Sequence, residues 1–316
     1  MSTPERVTFV TGGDKRYFPM ILELIHSIRR FPQSAGIDIC VIDAGLTPEQ
    51  VRHLEDGLVQ KVVSPDWPGP LAARQGKLKG QDHLKACVAR PFIPQHFPGY
   101  DIYIWLDGDV WVQDWSAVEV LITGARRDAI TICPEVDRAY GKVTKISWIG
   151  PMPWRPRSFL YSNGKKAFSG KVARSLYPWP GVNAGVFSMR ATVPYWARWQ
   201  ELIVKALRKG KIFTAEQLTL GMMIYLEGAK VEFLPSVYNW ICAFNPMWDE
   251  KTQSFVEPYL PHNTIGIVHL CAMDDMRRDR SATVDTKTTD GRIVPMSYRY
   301  PFFDGIAEST DVARAA

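Results

Sequence analysis

Two apolar periodicities alternate through the first 135 residues of the chain. Residues 7–10 form a short β run that breaks at Gly12-Gly13-Asp14. Ile21, Leu24, Ile25 and Ile28 then recur at helical spacing, with Pro19 tolerated in the first turn. Residues 37–42 predict a second strand. Thr47-Pro48-Glu49-Gln50 opens the next helix with a capping box and a proline at the first helical position. A third strand follows at 59–63, a helix at 81–89, and a fourth strand at 101–106 that ends on Asp107-Gly108-Asp109. A helix through 118–122 and a strand at 129–133 complete the series. Such alternation predicts βαβ units, a mostly parallel sheet and helices on both faces.

From 148 to 180 the pattern dissolves. Pro151, Pro153, Pro156, Pro178 and Pro180 stand among Trp148, Trp154, Trp179 and a basic group of Lys165, Lys166, Lys171 and Arg174. This stretch predicts an irregular insertion of the kind that serves as a lid or binding loop. Regularity returns with a strand at 182–189, a helix at 195–208, another helix opened by Thr214-Ala215-Glu216-Gln217, and strands at 231–234 and 264–269. There are no internal repeats and no linker. The expectation is a single domain, 1–303, that includes the insertion 148–180, followed by a polar tail, 304–316.

Composition narrows the classes. Apolar residues make up 46% of 316, enough for a sizeable core, so disorder is excluded for the bulk of the chain. A net charge of +5 is too small to argue for nucleic acid, and none is expected as a partner; it suits anionic ligands or an anionic membrane surface. The five cysteines (40, 87, 133, 242 and 271) include no CxxC pair, which argues against a disulfide framework or a structural zinc site. The N-terminus does not read as a signal peptide, and no run of eighteen apolar residues occurs. The expected location is cytoplasmic, with peripheral membrane contact left open.

The sharpest chemistry lies at Asp107-Gly108-Asp109. Two carboxylates one residue apart follow an apolar strand, at the sheet edge where open α/β folds bind ligands. Acids so close repel unless a cation neutralises them. Mg²⁺ or Mn²⁺ does so with hard oxygen ligands and bridges carboxylates to phosphates. A solvated turn acid plus a helix cap is the alternative, and Asp114 is read as the cap of the helix that follows.

A strand, Asp-x-Asp, a later Asn-x-Gly-Val and a strand-borne His together resemble the GT-A fold glycosyltransferases, most closely glycosyltransferase family 8. The resemblance spans about residues 6–275 and implies a Rossmann-like fold with a nucleotide-binding half, 1–135, and an acceptor-side half, 136–303. It implies that Asp107, Asp109 and His269 hold Mn²⁺ (or Mg²⁺) against a nucleoside-diphosphate sugar, a UDP-sugar by the family's habit. Thr11, Gly12, Asp14 and Tyr17 resemble the turn that contacts the nucleotide base. Gly108, Lys77 and Gly185 fall among the donor-binding positions, and Asn183, Glu216 and Gln217 match those beside the reacting sugar carbon. Where the family has Asp-Gln, this chain has Glu216-Gln217. After His269 the family carries a Gly, a Lys on the diphosphate and a Pro-Trp; this chain reads on to Asp274-Asp275-Met276-Arg277-Arg278, with Arg277 or Arg278 the candidate replacement.

Each position has a bland alternative: a core histidine at 269, a surface glutamine at 217, strand entry at Asn183 and Gly185, a turn acid at Asp14, a solvated loop at Arg74, Lys77 and Lys79. The implied activity is transfer of a hexose to a hydroxyl acceptor (a polysaccharide, glycolipid or other hydroxyl) with retention. Two rivals remain: an inverting transferase with Asp249, Asp274 or Asp275 as base, and a non-catalytic nucleotide-sugar-binding or scaffolding protein. A dehydrogenase is disfavoured because Thr11-Gly12-Gly13 lacks the G-x-G-x-x-G spacing.

Overall fold

The computed structural model describes residues 4–141 and 145–301. The polar tail expected at 304–316, and the side chains of Arg74 and Lys77, lie outside the described residues. In chain order the elements are β1 (Val7–Gly13), α1 (Phe18–Arg29), β2 (Asp38–Asp43), α2 (Pro48–Glu55), β3 (Lys61–Val63), α3 (Lys85–Ala89), α4 (Ile93–His96), β4 (Ile102–Leu106), β5 (Val110–Val112), α5 (Ser116–Arg126) and β6 (Ile130–Pro134). There follow β7 (Lys145–Ile149), β8 (Met152–Arg157), α6 (Phe159–Ala167), α7 (Gly170–Leu176), β9 (Val182–Arg190), α8 (Tyr195–Ala206) and α9 (Ala215–Tyr225). The last are β10 (Val231–Phe233), β11 (Trp240–Ile241), β12 (Met247–Asp249), β13 (Ser254–Val256), β14 (Ile267–His269), α10 (Asp274–Arg278), β15 (Val284–Lys287) and β16 (Ile293–Met296).

Seven strands form the central sheet in the order β10-β6-β9-β4-β1-β2-β3. Its pairs are parallel except where β9 runs against β4 and β6. The predicted mostly parallel α/β sheet is present, and the burial pattern shows why. Along β4 the side chains of Ile102, Ile104 and Leu106 join Phe9 and the apolar faces of α1 and α5. Those of Tyr103 and Trp105 join Val10, Phe187 and Trp196 on the opposite side. A strand covered on both faces is apolar at every position, which is how residues 102–106 read in the sequence. The capping box at Thr47 forms as expected, with Gln50 N–H donating to Thr47 Oγ1 (3.3 Å) and Thr47 N–H to Gln50 Oε1 (3.0 Å).

The insertion corrects one expectation. Residues 148–180 are not irregular: they hold most of the β7–β8 ribbon and both α6 and α7. Prolines do not break β8 because the ribbon joins no other strand among the described residues, so few backbone N–H groups are required for pairing. The predicted helix at 81–89 is a 3₁₀ turn at Asp82–Leu84 running into the short α3. A second sheet, β11-β14-β5, packs Trp111, Trp240 and Val268 into a separate apolar cluster. Neither β5 nor β11 was visible as a strand, being only two or three residues long. Beyond them, Arg299 reaches back to bind Glu23 of α1 through Nε (2.7 Å) and Nη2 (2.6 Å), fixing the end of the described chain. No helix among the described residues is long and apolar enough to cross a membrane, and all five cysteines are free.

Candidate functional site

Asp107 caps the carboxyl end of β4, and β5 starts three residues later. The small sheet then solves a long-range problem. Since β5 pairs antiparallel with β14, His269 lies opposite Val110, beside Asp109, despite 160 residues of separation. Ligand atoms of Asp107, Asp109 and His269 fall within 4.8 Å of one another. His269 Nε2 is 3.5 Å from Asp109 Oδ1.

Each carboxylate is also paired with an arginine. Arg90, at the end of α3, donates from Nη2 to Asp107 Oδ1 (2.5 Å), which also accepts from Trp105 Nε1 (2.8 Å). Arg277 of α10 donates from Nη1 to Asp109 Oδ2 (3.2 Å) and to the Tyr17 hydroxyl (2.9 Å). Thus Asp107 Oδ1 and Asp109 Oδ2 face guanidinium groups. Among the described residues Asp107 Oδ2 accepts no hydrogen bond, and Asp109 Oδ1 faces His269. Burial works against the Asp109 charge, yet His269 and Arg277 hold its carboxyl below the ordinary value. Burial likewise opposes protonation of His269, and Asp109 overcomes it, leaving the imidazole raised.

The orientation of His269 is fixed from behind. Its Nδ1 lies 2.8 Å from Asn239 Oδ1, while Asn239 Nδ2 donates to the Asn183 carbonyl (3.4 Å). That second bond settles which end of the amide faces the ring, so Nδ1 carries the proton and the lone pair of neutral His269 sits on Nε2. Metal-binding histidines are oriented in this way. Gly185 makes the convergence sterically possible. A Cβ there would lie 2.5 Å from His269 Cε1, 2.9 Å from Asp107 Oδ2 and 3.1 Å from Asn183 Oδ1. Two carboxylates and one imidazole, so oriented, are a donor set that fits Mn²⁺ or Mg²⁺.

Three successive carbonyls of β9 hold this arrangement. The Asn183 oxygen takes Asn239, the Ala184 oxygen takes Arg90 Nη1 (2.9 Å), and the Gly185 oxygen takes the Asp107 N–H (2.8 Å). In the same segment the β6–β9 register slips, with Ile132 opposite Phe187 but Cys133 opposite Asn183.

The cleft continues past Arg90 to α9. Glu216 is buried at its first turn, with Oε1 3.8 Å from Arg90 Nη1, and Oε2 has no hydrogen-bond partner. Burial pushes its carboxyl up to about 7, against the pull of Arg90. Gln217, Gly12, Asp14, Tyr17, Gly108, Asn183 and Gly185 line the same cleft. Asp14 is engaged by Arg16 (2.7 Å), and Asn183 Oδ1 accepts from the Gly185 N–H (3.1 Å). Thr11 does not join them: it is packed inside the sheet, with Oγ1 buried and unpartnered. Of the two candidate replacements on α10, Arg277 lines the cleft, whereas Arg278 is exposed and pairs with Asp275. Asp249, Asp274 and Asp275, the acids considered for an inverting base, are not among the cleft-lining residues; Asp249 is bound by Thr252 and Thr289 instead.

Arg90 and Glu135, which line the cleft, and Asn239, which holds His269 from behind, escaped the sequence reading. Arg90 had a signal, being a lone cation in the apolar run Ala86-Cys87-Val88-Ala89-Arg90-Pro91-Phe92. A buried charge needs a partner, and that partner is an acid. Glu135, whose carboxyl burial pushes up to about 7, follows β6 directly and had none.

No family model and no curated protein matches the chain. Among solved structures it is similar to the bifunctional glycosyltransferase WbbM, with 17% identity over 79% of this chain and a TM-score of 0.46. It is similar to the galactosyltransferase LgtC, in complex with donor and acceptor sugar analogs, with 14% identity over 84% of this chain and a TM-score of 0.45. It is also similar to the glycosyltransferase GlyE of Streptococcus pneumoniae TIGR4, with 17% identity over 76% of this chain and a TM-score of 0.43. The chain spans 87% of the LgtC structure but only 40% of WbbM and 48% of GlyE.

Proposed function

We propose that residues 1–303 form a metal-dependent glycosyltransferase that moves a hexose from a nucleoside-diphosphate sugar, a UDP-sugar in the first instance, to a hydroxyl acceptor with retention. One observation carries the reading. Asp107, Asp109 and His269 converge in a cleft that Asn183, Glu216 and Gln217 also line. Asp107, Asp109 and His269 would hold Mn²⁺ or Mg²⁺, which when bound supplies Lewis-acid stabilisation of the departing diphosphate.

The remaining roles fall to side chains of the chain itself. Arg277, adjacent to Asp109, brings a fixed positive charge to the region where the diphosphate oxygens collect negative charge. Asp14 and Tyr17, at the turn after β1, receive the nucleotide, and Gly12 and Gly108 line the cleft beside them. Asn183 and Gln217 steady the sugar carbon as it becomes electron-poor. Glu216, tied to Arg90 and protonated over much of the acid range, is not a free carboxylate nucleophile. The reading is therefore a same-face substitution. The acceptor oxygen bonds to the anomeric carbon as the bond to the diphosphate breaks, and the acceptor proton passes to the leaving phosphate oxygen. The inverting alternative loses support because its three candidate bases do not line the cleft.

The test is turnover of a panel of nucleotide sugars with Mn²⁺ and with chelator, followed by NMR of the product anomer. We expect metal-dependent transfer or donor hydrolysis that falls at least about a hundredfold in Asp109→Ala. Undiminished turnover in chelator, or a product of inverted configuration, refutes the reading. Absence of turnover with intact donor binding in a thermal-shift assay marks a binding protein.

A further inference from the structure

From Arg138 to Gln200 the chain carries eleven Lys and Arg and no Asp or Glu. Elsewhere it holds 27 basic residues against 33 acidic ones, so the entire positive excess of the protein belongs to this one stretch. Within it, β7 and β8 pair only with each other among the described residues. Around their turn, Trp148, Ile149, Met152 and Trp154 are 58, 54, 57 and 61% exposed. Burying side chains of this kind is favourable, yet four of them on one short ribbon stay in water. Exposed apolar surface gathered in this way marks a contact site. At the start of the same stretch, Arg138 donates to the Leu260 carbonyl (2.9 Å) and lies 5.9 Å from the Tyr259 ring, tying a second exposed apolar pair to its root.

We propose that the β7–β8 ribbon docks the protein on an anionic lipid bilayer, its tip among the head groups and the exposed cations of α6 and α7 near the lipid phosphates. Three features select this occupant. Trp is favoured at head-group depth. Ile149 and Met152 have no polar or aromatic group with which to bind a polysaccharide, whereas acyl chains accept them. Arg138, Arg190 and Arg198 are ion-paired with Glu257, Glu5 and Glu227, but Lys165, Lys166, Lys171 and Arg174, on the helices that follow the ribbon, are exposed and suit a negative surface. Apolar insertion combined with basic attraction supplies the two signals that stable peripheral attachment requires.

The experiment is co-sedimentation of the full chain with vesicles of phosphatidylcholine alone or with added phosphatidylglycerol, without donor, acceptor or metal. We expect binding to the anionic vesicles at least about tenfold tighter than to the neutral ones, weakening at high salt. Replacing Trp148, Ile149, Met152 and Trp154 together by Ser lowers it at least about tenfold further, with the thermal melt unchanged. Equal binding by that variant overturns the proposal. So does failure of the parent to bind anionic vesicles, whether it instead self-associates on sedimentation or binds soluble dextran sulfate. Should the fourfold variant not fold, Trp154→Ser and quenching of the parent's tryptophan fluorescence by brominated lipid decide the matter, and absence of quenching overturns docking. Failure here leaves the transferase reading standing, because no catalytic group takes part.

Discussion

Asp109 and Glu216 line one cleft and are almost equally buried, at 4% and 3% exposure, yet their carboxyl groups are driven in opposite directions. Burial penalises both charges. Asp109 is held low because His269 and Arg277 lie at 3.5 and 3.2 Å. Burial lifts Glu216 to about 7 because its ion-pair partner among the described residues, Arg90, stands at 3.8 Å and is committed to Asp107 at 2.5 Å. Depth in the fold does not decide ionisation; the distance and the sharing of the counter-charge do. One cleft thus holds the same functional group in two ionisation regimes, Asp109 lowered and Glu216 raised.

Removing the shared cation is the strongest way to break the contrast. Arg90→Met leaves Asp107 without its guanidinium and Glu216 without its attraction, and we expect a loss of about 3 kcal/mol or more in urea unfolding at neutral pH. A loss below about 1 kcal/mol would show that Arg90 does not set the difference.

Next in size is the acid itself. A carboxyl raised from 4.5 to about 7 on folding binds more protons in the native state, so its contribution to stability declines as pH climbs through that window. Glu216→Gln removes the dependence. Relative to the parent, this variant gains up to about 3 kcal/mol between pH 4.5 and pH 8, measured without metal by chemical denaturation. A constant difference across that range contradicts the raised value.

The smallest expected effect concerns the partner of Asp109. Asn239→Ala releases His269 Nδ1 and lets the ring choose its tautomer. Mn²⁺ affinity, read by calorimetry, should fall roughly 10–100-fold while the fold is kept. An unchanged affinity would mean that the Asn239 contact does not orient the ligand.

Much of this cleft is legible from residue type alone, and the reason is local. Asp107 and Asp109 adjoin a continuous apolar strand, and Glu216-Gln217 begin a helix, so each announces its own position along a strand or helix. Arg90 and Asn239 act on residues 17 and 30 positions away, through contacts that only the closed sheet creates. Asn239 lies between Tyr238 and Trp240, where the pattern shows nothing but a polar break in an aromatic run. The ribbon was misread for a different reason. Periodicity reports a face turned toward a core, and β7–β8 joins no sheet and leaves its tip side chains in solvent, so prolines and tryptophans obscured a regular element.

The carbonyls of Asn183, Ala184 and Gly185 grip Asn239, Arg90 and Asp107 in turn. Main-chain oxygen is common to all residue types, so exchanging the side chain at 183 or 184 deletes none of these grips. A change that shifts the backbone of the tripeptide disturbs all of them together. The candidate ligand cluster, the shared guanidinium and the histidine's orientation therefore stand or fall as one mechanical unit, tolerant of drift in residue identity at 183 and 184 and intolerant of a displaced strand.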